Sequence, residues 1–183
     1  MNALFVKHPE LSLRTYGYGD LFDVDFLEHL PAVTRASLEH GPIKDFGGLA
    51  HLPAGLTELE LSSYVGRVPL GEIAQRIKLE RLHLGVPSPA KDYGLLSKLV
   101  NLKVLHIHKG NLAGQAEALT AGLGKLVELG LQSCKLNDLG FLKPLTQLES
   151  LRIVGAGLKT VKLASLPNLP ALTHLELHGP IAP

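Results

Sequence analysis

The chain has 183 residues, with 18 Lys and Arg against 17 Asp and Glu and a formal net charge of +1, so no net field draws it toward nucleic acid or an acidic membrane. Hydrophobic residues make up 45% and charged residues 19%, a composition that buries a sizeable core rather than staying disordered, and the length suits one domain over residues 1–183. The single cysteine allows no internal disulfide, and the opening MNALFVKHPE lacks the apolar run of a signal peptide or membrane span, which points to a soluble, reduced, cytoplasmic protein.

Leucine is in excess at 40 residues, and such an excess has to be periodic in a folded chain. Taken in chain order, the first two units are degenerate: His8-Leu11-Leu13 and Val33-Ala36-Leu38. Leu56-Leu59-Leu61, Leu79-Leu82-Leu84 and Leu102-Leu105-Ile107 then repeat one L-x-x-L-x-L core. The sixth unit extends it through Leu126, Leu129, Leu131, Cys134 and Leu136, and Leu148-Leu151-Ile153 and Leu172-Leu175-Leu177 complete the series. The spacings are 25, 23, 23, 23, 24, 22 and 24 residues. Within each unit, positions four and six face the same side of a strand and turn inward together. A parallel return to the next strand requires a crossover. Leu21, Val24, Leu27, Leu30 and Val33 step by three in the first crossover, as do Leu136, Leu139, Leu142, Leu145 and Leu148 in the sixth, which predicts 3₁₀ turns there. Leu112, Ala116, Leu119, Leu123 and Leu126 step by three to four and predict an α-helical turn.

The motif L-x-x-L-x-L-x-x-N/C-x-L, filled at every slot by the sixth unit, resembles the leucine-rich-repeat family, and the resemblance runs through the whole chain. The 22-residue sixth unit, apolar at positions 1, 4, 6, 11, 14, 17 and 20, looks like the short internalin-type repeat of bacterial proteins. The resemblance implies an α/β solenoid, a right-handed superhelix of about eight repeats, with a parallel concave sheet and a mixed 3₁₀ and helical convex side. It further implies non-catalytic protein binding through the concave face. Position nine departs from the pattern: in place of an asparagine ladder it reads Tyr16, Gly41, Tyr64, Pro87, Gly110, Cys134, Ala156 and Pro180. The turns are therefore expected to satisfy their backbone differently from repeat to repeat. The last strand is an expected exposed edge, blunted by Pro180 and Pro183 and open to self-association.

Positions three, five and seven supply the concave surface. Position three alternates as Glu10, Arg35, Glu58 and Arg81 before losing the pattern, an arrangement that keeps adjacent strands in register and also offers a mixed polar surface to a partner. Glu58, Glu60, Arg81, His83, His106, His108, Glu128 and Arg152 form the candidate contact centre in the middle repeats. His83 and His106 share a column and His106 and His108 share a strand face, so these three imidazoles are the candidates for metal ligation, with Glu58 or Glu60 as an oxygen ligand. The same cluster makes a pH-responsive module the alternative to protein binding. A toxin-neutralising immunity protein is a narrower form of the binding reading. Cys134 occupies an inward slot and reads as a packing residue, no phosphate loop or H-E-x-x-H helix occurs, and no cofactor is expected. Tyr16 and Tyr64 are candidate rim anchors or covers for the turns.

Overall fold

The computed structural model describes residues 1–16, 22–41, 43–63, 68–85, 92–155 and 165–179. Eight parallel strands lie side by side in chain order: β1 (Leu13–Tyr16), β2 (Arg35–Gly41), β3 (Glu58–Ser63), β4 (Arg81–Leu84), β5 (Val104–His108), β6 (Glu128–Gln132), β7 (Ser150–Val154) and β8 (His174–His178). The register aligns the repeats as the spacing predicts, with Leu59 opposite Leu82, Leu82 opposite Leu105 and Leu105 opposite Leu129. Positions four and six from β2 to β7 are buried, and Leu82, Leu84, Leu105, Ile107, Leu129 and Leu131 are all at most 1% exposed. Stacked leucines thus make one continuous spine beneath the sheet, and this architecture is the leucine-rich-repeat solenoid.

Two backbone ladders flank the sheet, the first from β2 to β8 and the second, among the described residues, from β5 to β8. The amide of position two donates to the position-two carbonyl of the preceding repeat, through Thr34, Thr57, Glu80, Lys103, Val127, Glu149 and Thr173 at 2.7–2.9 Å. At the other end, the amides of Lys109, Ser133 and Gly155 donate to the position-seven carbonyls of the next repeats at 2.8, 2.7 and 2.9 Å. These three residues have φ of 61°, 55° and 61°, so the chain leaves β5, β6 and β7 through a left-handed residue that aims its amide sideways.

The convex side is mixed. The crossovers carry 3₁₀ turns at Asp25–His29, Gly47–His51, Tyr93–Lys98 and Gly140–Leu142, and α-helical turns at Leu70–Ala74 and Ala116–Thr120. The fifth and sixth crossovers follow their leucine spacing, as does the first from Val24 to Val33, while Leu21 lies outside the described residues. Thr120 is fully buried, and its hydroxyl donates to the Phe141 carbonyl at 2.6 Å, tying one crossover to the next.

The first repeat slips relative to its expected alignment. Leu13 pairs with Ala36 and Thr15 with Leu38, so Leu13 and Thr15 take the inward slots, while Leu11 is 37% exposed. The Thr34 hydroxyl donates to the Pro9 carbonyl, so the two surplus residues of the 25-residue spacing are taken up between Pro9 and Leu13. Ahead of this strand a short helix (Asn2–Lys7) covers the N-terminal end of the spine with buried Phe5, and Asn2 Oδ1 accepts from the Ala32 amide at 3.0 Å. At the other end Leu175, an inward residue by register, is 44% exposed. Pro87, Ala156, Pro180 and Pro183 lie outside the described residues.

Candidate functional site

Because alternate strand residues share a face and the register from β2 to β7 shifts only at the end of β2, between Glu39 and Gly41, the polar residues of positions three, five and seven converge on one concave ribbon. All eight candidate contact residues stand on it. Glu58 lies opposite Arg81, Glu60 opposite His83, and His83 opposite His106. A hollow of about 270 Å³ is lined by residues of β2 to β5, among them Arg35, Glu58, Glu60, Arg81, His83 and His106. A second, of about 150 Å³, is lined by His83, His106, His108 and Arg152 together with Gly130, Gln132 and Val154. Glu128 joins the group through His106.

The position-five column is a chain of contacts. Arg14 donates to Glu39 at 3.0 Å and stacks over Tyr16 at 5.5 Å. The Ser37 hydroxyl sits between Glu39 and Glu60, 3.1 Å from Glu60 Oε2. Glu60 faces His83 Nδ1 at 3.3 Å, the rings of His83 and His106 meet edge to face at 5.6 Å between centroids, and His106 Nε2 reaches Glu128 at 2.9 Å. Arg152, Glu176 and His178 form a separate group at 3.0 and 3.3 Å. Burial pulls His83 below the usual histidine value against the opposing charge of Glu60, and His108 is lowered by burial and then by Lys109. Hydrogen bonding and charge from Glu39 raise the Arg14 guanidinium.

His83, His106 and His108 do not converge as a ligand set. Glu60 and Glu128 hold the first two imidazoles apart, edge to face, and the described residues contain no group of three or more His, Cys, Asp or Glu arranged to hold a metal ion.

Arg35, Glu58 and Arg81 differ from their neighbours. Although Arg35 and Arg81 flank Glu58 in register, none of the three has an ion pair or side-chain hydrogen bond among the described residues. Their bonding capacity faces the larger hollow.

The sequence reading missed the part played by Gly130. A Cβ there would stand 2.7 Å from His106 Cδ2, so the absent side chain lets the imidazole lie across β6. A glycine inside a strand is the available signal for such a close approach. Arg14, Ser37 and Glu39 were also not singled out, since their role arises from cross-strand pairing. Tyr16 belongs to β1 and is exposed, while Tyr64 lies outside the described residues. Tyr93 instead fills the space beneath a position-nine turn. It is fully buried, and a Cβ on Gly110 would lie 2.9 Å from its hydroxyl. Cys134 supports its own turn, donating to the Ile107 carbonyl at 3.3 Å, and burial pushes its thiol up to about 11, which keeps it protonated and unreactive near neutral pH.

No protein-family model matches the chain, and no curated protein matches it. Among solved structures it is similar to an internalin (InlF) from Listeria monocytogenes, with a TM-score of 0.68 and 24% identity over 85% of this chain and 45% of that one. It is also similar to internalin C2 from the same organism, with a TM-score of 0.71 and 24% identity over 90% and 69% of the two chains. The leucine-rich repeats of TLR13, solved in complex with ssRNA13, match with a TM-score of 0.68 and 21% identity over 92% and 25%. The chain thus spans under half the length of InlF, and these likenesses concern the fold. No helix among the described residues is long and apolar enough to cross a membrane.

Proposed function

We propose that the chain is a non-catalytic binding module that engages a protein partner through its concave face, centred on Glu58, Glu60, Arg81, His83, His106, His108, Glu128 and Arg152. The observation that carries this reading is the hollow flanked by Arg35, Glu58 and Arg81, charges of both signs with no ion pair among the described residues. Charged groups already aligned and not engaged within the fold give up little on meeting a complementary surface, and a planar guanidinium suits a carboxylate from the partner. Eight strands at about 4.8 Å span about 34 Å, the scale of a protein surface or an extended segment. The fold presents that ribbon on a rigid spine, so binding requires little reordering of the backbone.

TLR13 is a structural neighbour recorded with RNA, but this ribbon opposes a polyanion. Glu39, Glu58, Glu60, Glu128 and Glu176 cross it on four different strands, and the whole chain is near neutral. Chemical turnover is disfavoured by the same geometry, because the one thiol is buried and His83 and His106 are engaged with carboxylates. A chain with a single buried cysteine also suits the cytoplasm.

The test is charge reversal at the two unengaged groups, Glu58→Lys with Arg81→Glu. Partner capture from lysate is expected to fall by about tenfold or more, equivalent to about 1.4 kcal/mol, with far-UV circular dichroism and thermal unfolding unchanged. Undiminished capture by a folded variant overturns the placement.

A further inference from the structure

The two ends of the sheet are finished differently. The N-terminal end of the spine is covered by the helix carrying Phe5, whereas β8 closes the described sheet with Leu175 44% exposed. Among the described residues no strand pairs with the outer side of β8, so it presents a row of backbone donors and acceptors beside an uncovered leucine, the feature that templates pairing with another chain.

The sequence of this strand is a palindrome, His174-Leu175-Glu176-Leu177-His178. Two identical strands related by a two-fold axis pair antiparallel, and their contacts have to be self-complementary. With the axis through Leu175, Leu175 meets its own copy on the core side. On the concave side His174 faces Glu176 of the second copy, and Glu176 faces His174 of the second copy. Face parity is preserved, so apolar meets apolar and each imidazole meets a carboxylate. Glu176 is suited to this site because Arg152 and His178 already place positive or donor groups around it at 3.0 and 3.3 Å. The register centred on Glu176 would set two carboxylates against each other and is disfavoured. A register centred on Leu177 also pairs imidazole with carboxylate, but it puts the more exposed Leu175 opposite Gly179, with no side chain to cover it.

From this juxtaposition we infer that the chain forms a two-fold dimer in which β8 pairs antiparallel with β8 of a second copy, centred on Leu175. The product is one continuous sixteen-stranded sheet, with both concave ribbons on the same side because the axis runs perpendicular to the sheet. The dimer is independent of the partner-binding reading, since Arg35, Glu58 and Arg81 lie on β2, β3 and β4.

Residues at the centre of an antiparallel pair have Cα atoms about 4.5–5.5 Å apart, within disulfide reach. Leu175→Cys is therefore expected to give a covalent dimer on mild oxidation, with Leu177→Cys remaining largely uncrosslinked because it faces Thr173 of the second copy. Cys134 is buried and contributes no crosslink. Sedimentation of the unmodified chain is expected to show a dimer that dissociates on dilution, and Leu175→Lys to shift it to monomer with circular dichroism unchanged. A monomer at about 200 µM, a concentration that reveals a Kd well above the micromolar range, overturns the inference. Preferential crosslinking through Leu177→Cys overturns it as well.

Discussion

His83 sits at the middle of the concave ribbon with Glu60 on one side and His106 on the other. Burial lowers its proton affinity in the folded chain, and the nearby imidazoles of His106 and His108 act in the same direction, while Glu60 and Glu39 oppose. The unfolded chain binds a proton on this residue near the ordinary value of 6.5, so between that value and the lower folded one the unfolded state holds more protons. The contribution is therefore fully present above pH 6.5 and is lost as the pH falls toward the folded value. The urea midpoint is expected to drop between about pH 7.5 and about pH 5.5, and His83→Gln to flatten that slope without removing it, because His108 is lowered too. An identical slope in the variant, or a rise in stability on acidification, counts against this account. The sequence showed that these imidazoles share a column, because column membership follows from alternation alone. It did not show that they would turn to Glu60 and Glu128 instead of toward a common point, since that depends on side-chain rotamers and on the space left by Gly130.

Element by element, strands were more legible than crossovers. The alternation of positions four and six placed β2 to β8 correctly, yet it misaligned β1. The run Leu11-Ser12-Leu13-Arg14 alternates with period two, and a slip of two residues leaves each side chain on its original face, so only pairing with β2 decides the register. Crossovers whose leucines step regularly, the first, fifth and sixth, could be assigned. The helical turn at Leu70–Ala74 could not, because no leucine period marks it. Close packing between crossovers explains glycines whose spacing carries no signal. A Cβ on Gly122 would stand 1.9 Å from the Ser97 carbonyl oxygen, and backbone on both sides leaves no flexible side chain to move aside. Gly122→Ala is expected to cost about 1–3 kcal/mol, read as a lower urea midpoint with unchanged m-value, whereas Gly124→Ala, where nothing lies within 4 Å, is the control. Equal effects at the two sites would show that loss of backbone freedom, rather than the Ser97 contact, governs the first.

For the molecule as a whole, the main contacts between described elements run between adjacent repeats, so stability is a sum of repeat terms and interface terms along one axis. A leucine in the middle of the spine serves two interfaces: Leu105 is fully buried and in register with both Leu82 and Leu129. Leu175 has an in-register neighbour on one side, Leu151, and is 44% exposed. Leu105→Ala is therefore expected to cost about 2–5 kcal/mol through lost transfer energy and a cavity, and Leu175→Ala under about 1 kcal/mol when both are measured at dilutions that keep the chain monomeric. Repeating the comparison at high protein concentration separates the axis from its ends. If β8 is covered by a second copy, the cost of Leu175→Ala grows with concentration by mass action, while that of Leu105→Ala stays close to its dilute value. Equal costs at high dilution would mean that the spine does not behave as a one-dimensional stack, and that the N-terminal helix and the strand edge communicate through the full length of the sheet.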